Sequence, residues 1–125
     1  MKFGIGTASF IKNYGLLKIK ENKKDLRRIL TKYSKKIDLV DTAQSYGFAE
    51  RDIGKSINPN LKIVTKISKI KSKKTNSILN EIEKKFLKSL KIMNKDKIYC
   101  LMFHNENDIT KLKDKKIVEY LNNLK

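Results

Sequence analysis

Tryptophan is missing, and proline, cysteine and histidine each occur once in 125 residues. Each scarcity excludes something. With Cys100 alone, no disulfide can form within the chain; the thiol lies in an apolar run, where a free cysteine packs as a small hydrophobe. A reducing cytoplasm is the expected compartment. No apolar run approaches the roughly 20 residues of a membrane span, and Met1–Gly6 lacks the long apolar stretch of a secretory signal. No membrane partner is expected. Nor does any low-complexity linker or composition shift divide the chain, whose 39% hydrophobic content suits one compact domain or a piece of a larger one.

Arginine is scarce too. Of 30 basic residues only Arg27, Arg28 and Arg51 are arginine, although the formal net charge is +17. Such a charge invites a nucleic-acid reading, but arginine is the usual side chain for bidentate recognition of bases and phosphates. The 27 lysines are spread over every segment, densest at Ser68–Lys74 and Lys111–Lys116, and Lys, Ile and Asn together fill 54 of the 125 positions. That is a compositionally biased, solvated surface. No nucleic-acid partner is expected, while the positive field favours an anionic cofactor or substrate.

What is present is periodic. Apolar runs occur at Phe3–Ile5, Ile37–Val40, Leu61–Ile67 and Ile98–Phe103. Most are continuous, as in parallel strands covered on both faces. Between them the spacing turns helical. Leu26, Ile29, Leu30 and Tyr33 form one stripe, behind a cap-like Asn22 and Asp25. Ile78, Ile82, Phe86, Leu90 and Met93 form another, widened by Leu79 and Leu87, and Ile117, Val118, Leu121 and Leu124 a third. A shorter helix is predicted from about Ala49 to Ile57, stopped by Asn58-Pro59. Strand and helix alternate four times, which predicts a βα array with a parallel sheet. Periodicity leaves two closures open, a doubly wound sheet or part of an eight-fold barrel, which needs about 250 residues when complete.

The strand ends carry the chemistry. The second strand runs into Asp41-Thr42-Ala43-Gln44-Ser45-Tyr46-Gly47, with Glu50 beyond; the third ends in Val64-Thr65-Lys66; the fourth ends in Met102-Phe103-His104. In βα barrels the C-terminal ends of the strands hold the active site. An Asp, a Tyr, a Lys and a His there suit carbonyl reduction, in which the carbonyl oxygen gains negative charge and needs a proton donor with hydrogen-bonding or positive neighbours. A phenol is a reluctant acid, with an ordinary pKa of about 10, and a nearby ammonium favours its anion. Tyr46 is the candidate donor, Lys66 the ammonium, Asp41 its ion-pair partner, and His104 a hydrogen-bond donor to the substrate oxygen. Taken singly, His104 reads as a core residue and Lys66 as one more surface lysine; their shared position at strand ends outweighs both readings. Tyr14, Tyr33, Tyr99 and Tyr120 have no such context and read as packing residues. Gly4-x-Gly6 is a weak dinucleotide signal, since Ser9 stands where a third glycine would be.

The string Asp41-Thr42-Ala43-x-x-Tyr46-Gly47-x-x-Glu50-x-x-x-Gly54 resembles the signature of the aldo-keto reductases. Lys66 after Ile63-Val64-Thr65 resembles the family's lysine strand, and Leu87-x-x-Leu90 before a strand ending in His104 resembles the segment ahead of its histidine. Gly4-Ile5-Gly6-Thr7-Ala8 is similar to its first strand. Asn13-Tyr14-Gly15 is similar to a bacterial branch linked to polysaccharide biosynthesis, which points to a sugar-like carbonyl substrate. The resemblance implies an α/β fold that is a partial (β/α)8 TIM barrel of about four βα units, with residues 1–125 as the N-terminal half of the domain. It implies Tyr46 as general acid tuned by Lys66 and Asp41, with His104 positioning the carbonyl. It also implies NADPH as cofactor, with Gly6, Thr7 and Asp41 near its nicotinamide, and no metal.

In the family, most cofactor contacts come from strands five to eight, which have no counterpart before Lys125. Two readings follow. In one, a reductase centre is completed by a C-terminal half or by self-association. In the other, the chain is a truncated and catalytically silent remnant. A four-stranded piece of a barrel leaves edges unpaired and inward side chains uncovered. Ile5, Val40, Ile63 and Leu101 lie in the runs concerned. Such a chain is expected to be marginally folded, to self-associate or to need a partner, and to bind NADPH weakly or not at all.

Overall fold

A computed structural model describes residues 2–10, 24–56 and 58–124. Asn22, Ile57 and the segment Asn13-Tyr14-Gly15 lie outside them. Strands β1 (Phe3–Gly6), β2 (Ile37–Asp41), β3 (Lys62–Ile67) and β4 (Cys100–Phe103) form one parallel sheet in the order β1-β2-β3-β4. Parallel neighbours require crossovers, and these contain α1 (Lys24–Lys32), α2 (Ala49–Gly54) and α3 (Thr75–Met93); α4 (Lys115–Asn123) follows β4. Two 3-10 segments, Ala8–Phe10 and Glu106–Lys113, were not signalled by the apolar spacing.

Register decides which side chains share a face. Gly6 pairs with Asp41, Asp41 with Val64, and Val64 with Cys100; two residues on, Lys66 pairs with Met102. Val40 and Ile63 are buried in a cluster with Leu26, Leu30, Ile53 and Met93 from the helices, with Ile5 packed against it. Leu101 packs against a second cluster, Ile67, Ile70, Ile78, Ile82 and Ile117. Ile5, Val40, Ile63 and Leu101 therefore all face the helices. By strand alternation the opposite face carries Leu39, Asp41, Val64, Lys66, Cys100 and Met102. Met102 on that face is 46% exposed.

Local chemistry sets the ends of the elements. Helix α3 stops at Asn94, which adopts the left-handed conformation (φ 50°), and Lys95 N–H donates back to Leu90 O at 3.1 Å. Asparagine tolerates this C-terminal geometry better than most residues. Asn58 bridges the turn after α2 to the start of β2, its Nδ2 donating to Ser34 O and Ile37 O at 2.9 and 3.1 Å. Gly54 is required by proximity: a Cβ there would stand 2.5 Å from the backbone oxygen of Met93, so α2 and α3 touch at this point.

Some packing expectations need correction. Leu87, expected to widen the α3 stripe and join the core, is 54% exposed. It lies five residues from Ile82, a rotation of about 140° around a helix. Tyr33 and Tyr99 are also exposed rather than packed, each facing an ammonium: Lys32 Nζ lies 5.3 Å and Lys62 Nζ 5.5 Å from the respective ring centroid. Val118 is exposed on the outer side of α4. Among the described residues no helix is long and apolar enough to cross a membrane.

Candidate active site

Asp41 is the last residue of β2, Lys66 lies one position from the end of β3, and His104 follows β4 directly. Because the strands are parallel and in register, these residues reach the same end of the sheet. Tyr46 joins them from the β2–α2 loop. Its turn depends on Gly47, whose φ of +57° is strained for any residue with a Cβ.

Lys66 Nζ is ion-paired with Asp41 Oδ1 and donates to Thr42 O at 3.2 Å. The lysine side chain is only 16% exposed while the aspartate is 41% exposed, so the cation sits inside the site with its partner at the rim. The same Nζ lies 5.5 Å from the Tyr46 ring centroid. The His104 ring meets Tyr46 edge-on, with centroids 5.7 Å apart and planes at 82°. Asp41, Tyr46, Lys66 and His104 thus form one contiguous group, with Tyr46 in the middle and largely buried.

The cofactor candidates divide. At Gly6 no atom of the described residues beyond its chain neighbours lies within 4 Å of where a Cβ would stand, and it pairs with Asp41 across the sheet. Thr7 is fully buried. Its hydroxyl donates to Asp41 O at 3.1 Å and shares a 2.9 Å hydrogen bond with Thr42 Oγ1. Thr7 therefore braces the end of β1 against β2. Among the described residues no group of three or more His, Cys, Asp or Glu side chains could hold a metal.

Three polar residues to which sequence reasoning assigned no role hold the group in place. Thr42 supplies the second acceptor for Lys66. Glu50, buried on α2, accepts from Thr65 Oγ1 at 2.8 Å, next to Lys66 in the chain. Gln44 accepts from Ser68 N–H at 3.0 Å and donates to Ser89 Oγ at 2.9 Å and Lys85 O at 2.6 Å. It ties the tyrosine loop to the loop after β3 and to α3. Glu50 stood in the recognised string, but only its burial shows what its carboxylate does. Gln44 had no signal beyond its place between Asp41 and Tyr46.

The loop after β3 is fixed by charged groups. Glu81 accepts from the backbone N–H groups of Lys71 and Ser72 and is 2.9 Å from Lys85 Nζ. Burial pushes the Glu81 carboxyl up, but the Lys85 ammonium and these two backbone donors outweigh it and hold the carboxyl down at about 2. Lys85 Nζ also donates to Ser68 O and Lys69 O. Buried Asp108 accepts from Ile70 N–H at 2.9 Å and pairs with Lys111 at 2.8 Å. An apolar groove of about 560 Å³ lies elsewhere, along β4 between Phe86, Tyr99, Met102 and Leu121, and includes none of the four strand-end residues.

The sequence profile of the Aldo/keto reductase family matches residues 2–125. Among solved structures, PA4992 of Pseudomonas aeruginosa, assigned as an aldo-keto reductase, superposes with a TM-score of 0.71 at 23% identity. The match covers 97% of this chain and 49% of that one. A second structure from the same organism with the same assignment gives 0.68 at 23% identity, covering 97% and 48%. The chain therefore spans about half the length of the structures it matches, and its four βα units superpose on part of a closed barrel. A comparison with curated proteins finds no match. With its family profile matched over nearly every residue, the chain belongs to the aldo/keto reductase family.

Proposed function

We propose that the chain carries the proton-handling groups of an NADPH-dependent carbonyl reductase, with Tyr46 as general acid. The observation that supports this most is the contact of Tyr46 with both Lys66 and His104, while Asp41 holds Lys66. A carbonyl accepting hydride develops negative charge on oxygen, and stabilisation aimed at that charge lowers the barrier. Tyr46 donates its phenolic proton to this oxygen. The Lys66 ammonium favours the phenolate left behind. Asp41 and Thr42 fix the lysine so that it needs no rearrangement as charge appears. His104, more exposed and edge-on to the tyrosine, orients the substrate oxygen. Glu50 and Gln44 are positioning residues behind Lys66 and Tyr46.

NADPH, when bound, supplies the hydride. Of this chain's residues, Gly6 and Asp41 suit its nicotinamide end: the missing side chain at Gly6 leaves room for a flat ring beside the Asp41 carboxylate. Thr7 fits only as a brace for Asp41, because its hydroxyl is already engaged.

The substrate is proposed to be a small aldehyde or ketone of sugar-like type, reduced to an alcohol. The sheet edges at β1 and β4 are proposed to pair with further strands in the active form, either from a complementing half or from a second copy. Sedimentation with and without NADPH reads the assembly. Cofactor-dependent reduction of small carbonyl compounds reads the activity. Tyr46→Phe is expected to lower kcat by about 100-fold or more while sparing cofactor affinity. Full activity in that variant would overturn the assignment of the acid. The rival reading, a silent half barrel, is favoured by the match to only about half of each solved structure. It predicts no NADPH binding in any assembly, which a fluorescence titration measures.

A further inference from the structure

Two lysine-dense segments, far apart in sequence, are locked together beside the candidate site. The loop after β3 carries Lys69, Lys71, Lys73 and Lys74; the segment after β4 carries Lys113 and Lys115. Asp108 from the second accepts from Ile70 N–H of the first, and Thr75 Oγ1 at the end of the first donates to Asp114 Oδ2 of the second at 2.5 Å. Three of the nearby carboxylates are occupied, while Glu106 and Glu119 on the second segment and α4 are exposed. Asp108 is buried against Lys111, Asp114 caps α4 through Lys116 N–H, and Glu81 holds the loop backbone. All six lysines are exposed, and none forms an ion pair among the described residues.

The patch starts at the site. Lys69 is three residues beyond Lys66, which places its Cα within about 11 Å of the Lys66 Cα. Gln44, two residues from Tyr46, bonds Ser68 at the base of this loop, and the other segment begins directly after His104. The backbone under the lysines is pinned while their ammonium groups remain in water. That arrangement raises the local concentration of an anion without confining it to one pose. Lysines present point charges, which suit a phosphate, and lack the planar fork that arginine uses for bidentate recognition.

We infer that the carbonyl compound taken by this site carries a phosphate group, which the lysines at 69, 71, 73, 74, 113 and 115 attract and hold near the Tyr46 hydroxyl. This rests on the carbonyl-reductase reading of the site, but its test does not require turnover. Backbone amide signals of the full chain are followed at fixed ionic strength during titration with a phosphorylated aldose, its unphosphorylated parent, inorganic phosphate, NADPH and a short DNA duplex. The sugar phosphate and inorganic phosphate are expected to shift amides of residues 68–75 and 107–116, and the parent sugar is not. Replacing Lys69, Lys71 and Lys73 by Gln should weaken phosphate binding about tenfold. The same change at Lys84, Lys88 and Lys91, exposed lysines on α3, should leave it unchanged. Equal loss in the two triple variants, shifts spread over every lysine-bearing segment, or equal binding of the parent sugar would overturn the inference. So would a patch that answers only to NADPH, or only to DNA. Tyr46→Phe separates the two proposals, since it should end reduction and leave phosphate binding intact.

Discussion

The two hydrophobic clusters are built from the same βα grammar and end up differently sealed. The first lies between β1, β2 and β3 and the helices α1 and α2, and takes Met93 from the end of α3. Leu26, Val40, Ile53 and Met93 are fully buried there. The second lies under α3 and α4 against β3 and β4; Ile67, Ile82 and Ile117 are as fully buried there, and each cluster has a partly buried rim, Ile5 and Phe10 for the first and Leu101, Phe103, Tyr120 and Leu121 for the second. Both clusters reach an edge with no strand beside it among the described residues, β1 for the first and β4 for the second, but the apolar groove runs along β4. Asp41 and Tyr46 are rooted around the first cluster, and Lys66, beside Ile67, and His104, beside Phe103, around the second. The proposed acid, Tyr46, is therefore rooted in the first cluster, while Lys66 and His104, proposed to tune it and to orient the substrate, stand at the second, beside the groove.

The sharpest way to break this comparison is to cut one side chain from each cluster. Ile53→Ala removes a fully buried side chain wedged between sheet and helices and should cost about 4 kcal/mol, near the upper end for such cavities. Leu121→Ala, at a half-buried position on the groove, should cost about 1–2 kcal/mol, since part of that surface already meets solvent. Urea unfolding of both variants reads the contrast. Equal losses would mean that the two clusters are equally sealed in solution.

A smaller effect comes from the loop that joins the two regions. Glu81, on α3, is held at about 2 in the folded chain, below an ordinary glutamate value of about 4.3. Its contribution to stability is present above the ordinary value and is lost as pH falls through the folded one. Unfolding free energy should decline between about pH 4.5 and pH 2, and Glu81→Gln should flatten that decline by about 1–2 kcal/mol after allowance for solvent screening. An unchanged acid limb in the variant would show that the carboxylate does not clamp the loop.

The same comparison explains what the sequence disclosed. The four strands and their parallel order were legible because each run is continuous and apolar and each crossover carries a helical stripe. Asp41, Tyr46, Lys66 and His104 were legible because strand ends converge in a parallel sheet, so one-dimensional positions predict a three-dimensional meeting. Faces were not legible. Val40 and Leu39 are adjacent apolar residues in one run, yet only Val40 is sealed under the helices. Leu87 looked like core because it is apolar, but its angular position on α3 leaves it in water. The bracing roles of Glu50, Gln44 and Thr7 were hidden for a related reason. Each is a hydrogen bond between segments 15 or more residues apart, and no local pattern encodes such a partner.

The smallest expected effect tests how well polar groups are satisfied in the two regions. Around the first cluster the buried polar side chains answer one another: Thr7 with Thr42, Thr65 with Glu50, Ser89 with Gln44. Around the second the buried hydroxyl of Tyr120 has no hydrogen-bond partner among the described residues. Burial, with a smaller contribution from the nearby Glu83 carboxylate, pushes this phenol up from its ordinary value, as expected for a group that gains nothing by ionising there. A buried hydroxyl without a partner costs its desolvation and returns no bond, while the ring around it still packs. Tyr120→Phe keeps the ring in the second cluster and removes the hydroxyl. It should therefore stabilise the chain by about 0.5–1 kcal/mol, in the opposite direction to Thr65→Val beside Glu50, which strands a buried carboxylate and should destabilise. Thermal or urea unfolding of the two variants measures both signs. A loss of more than about 1 kcal/mol in Tyr120→Phe would mean that the hydroxyl is bonded in solution, and that the second region is better satisfied than its packing suggests.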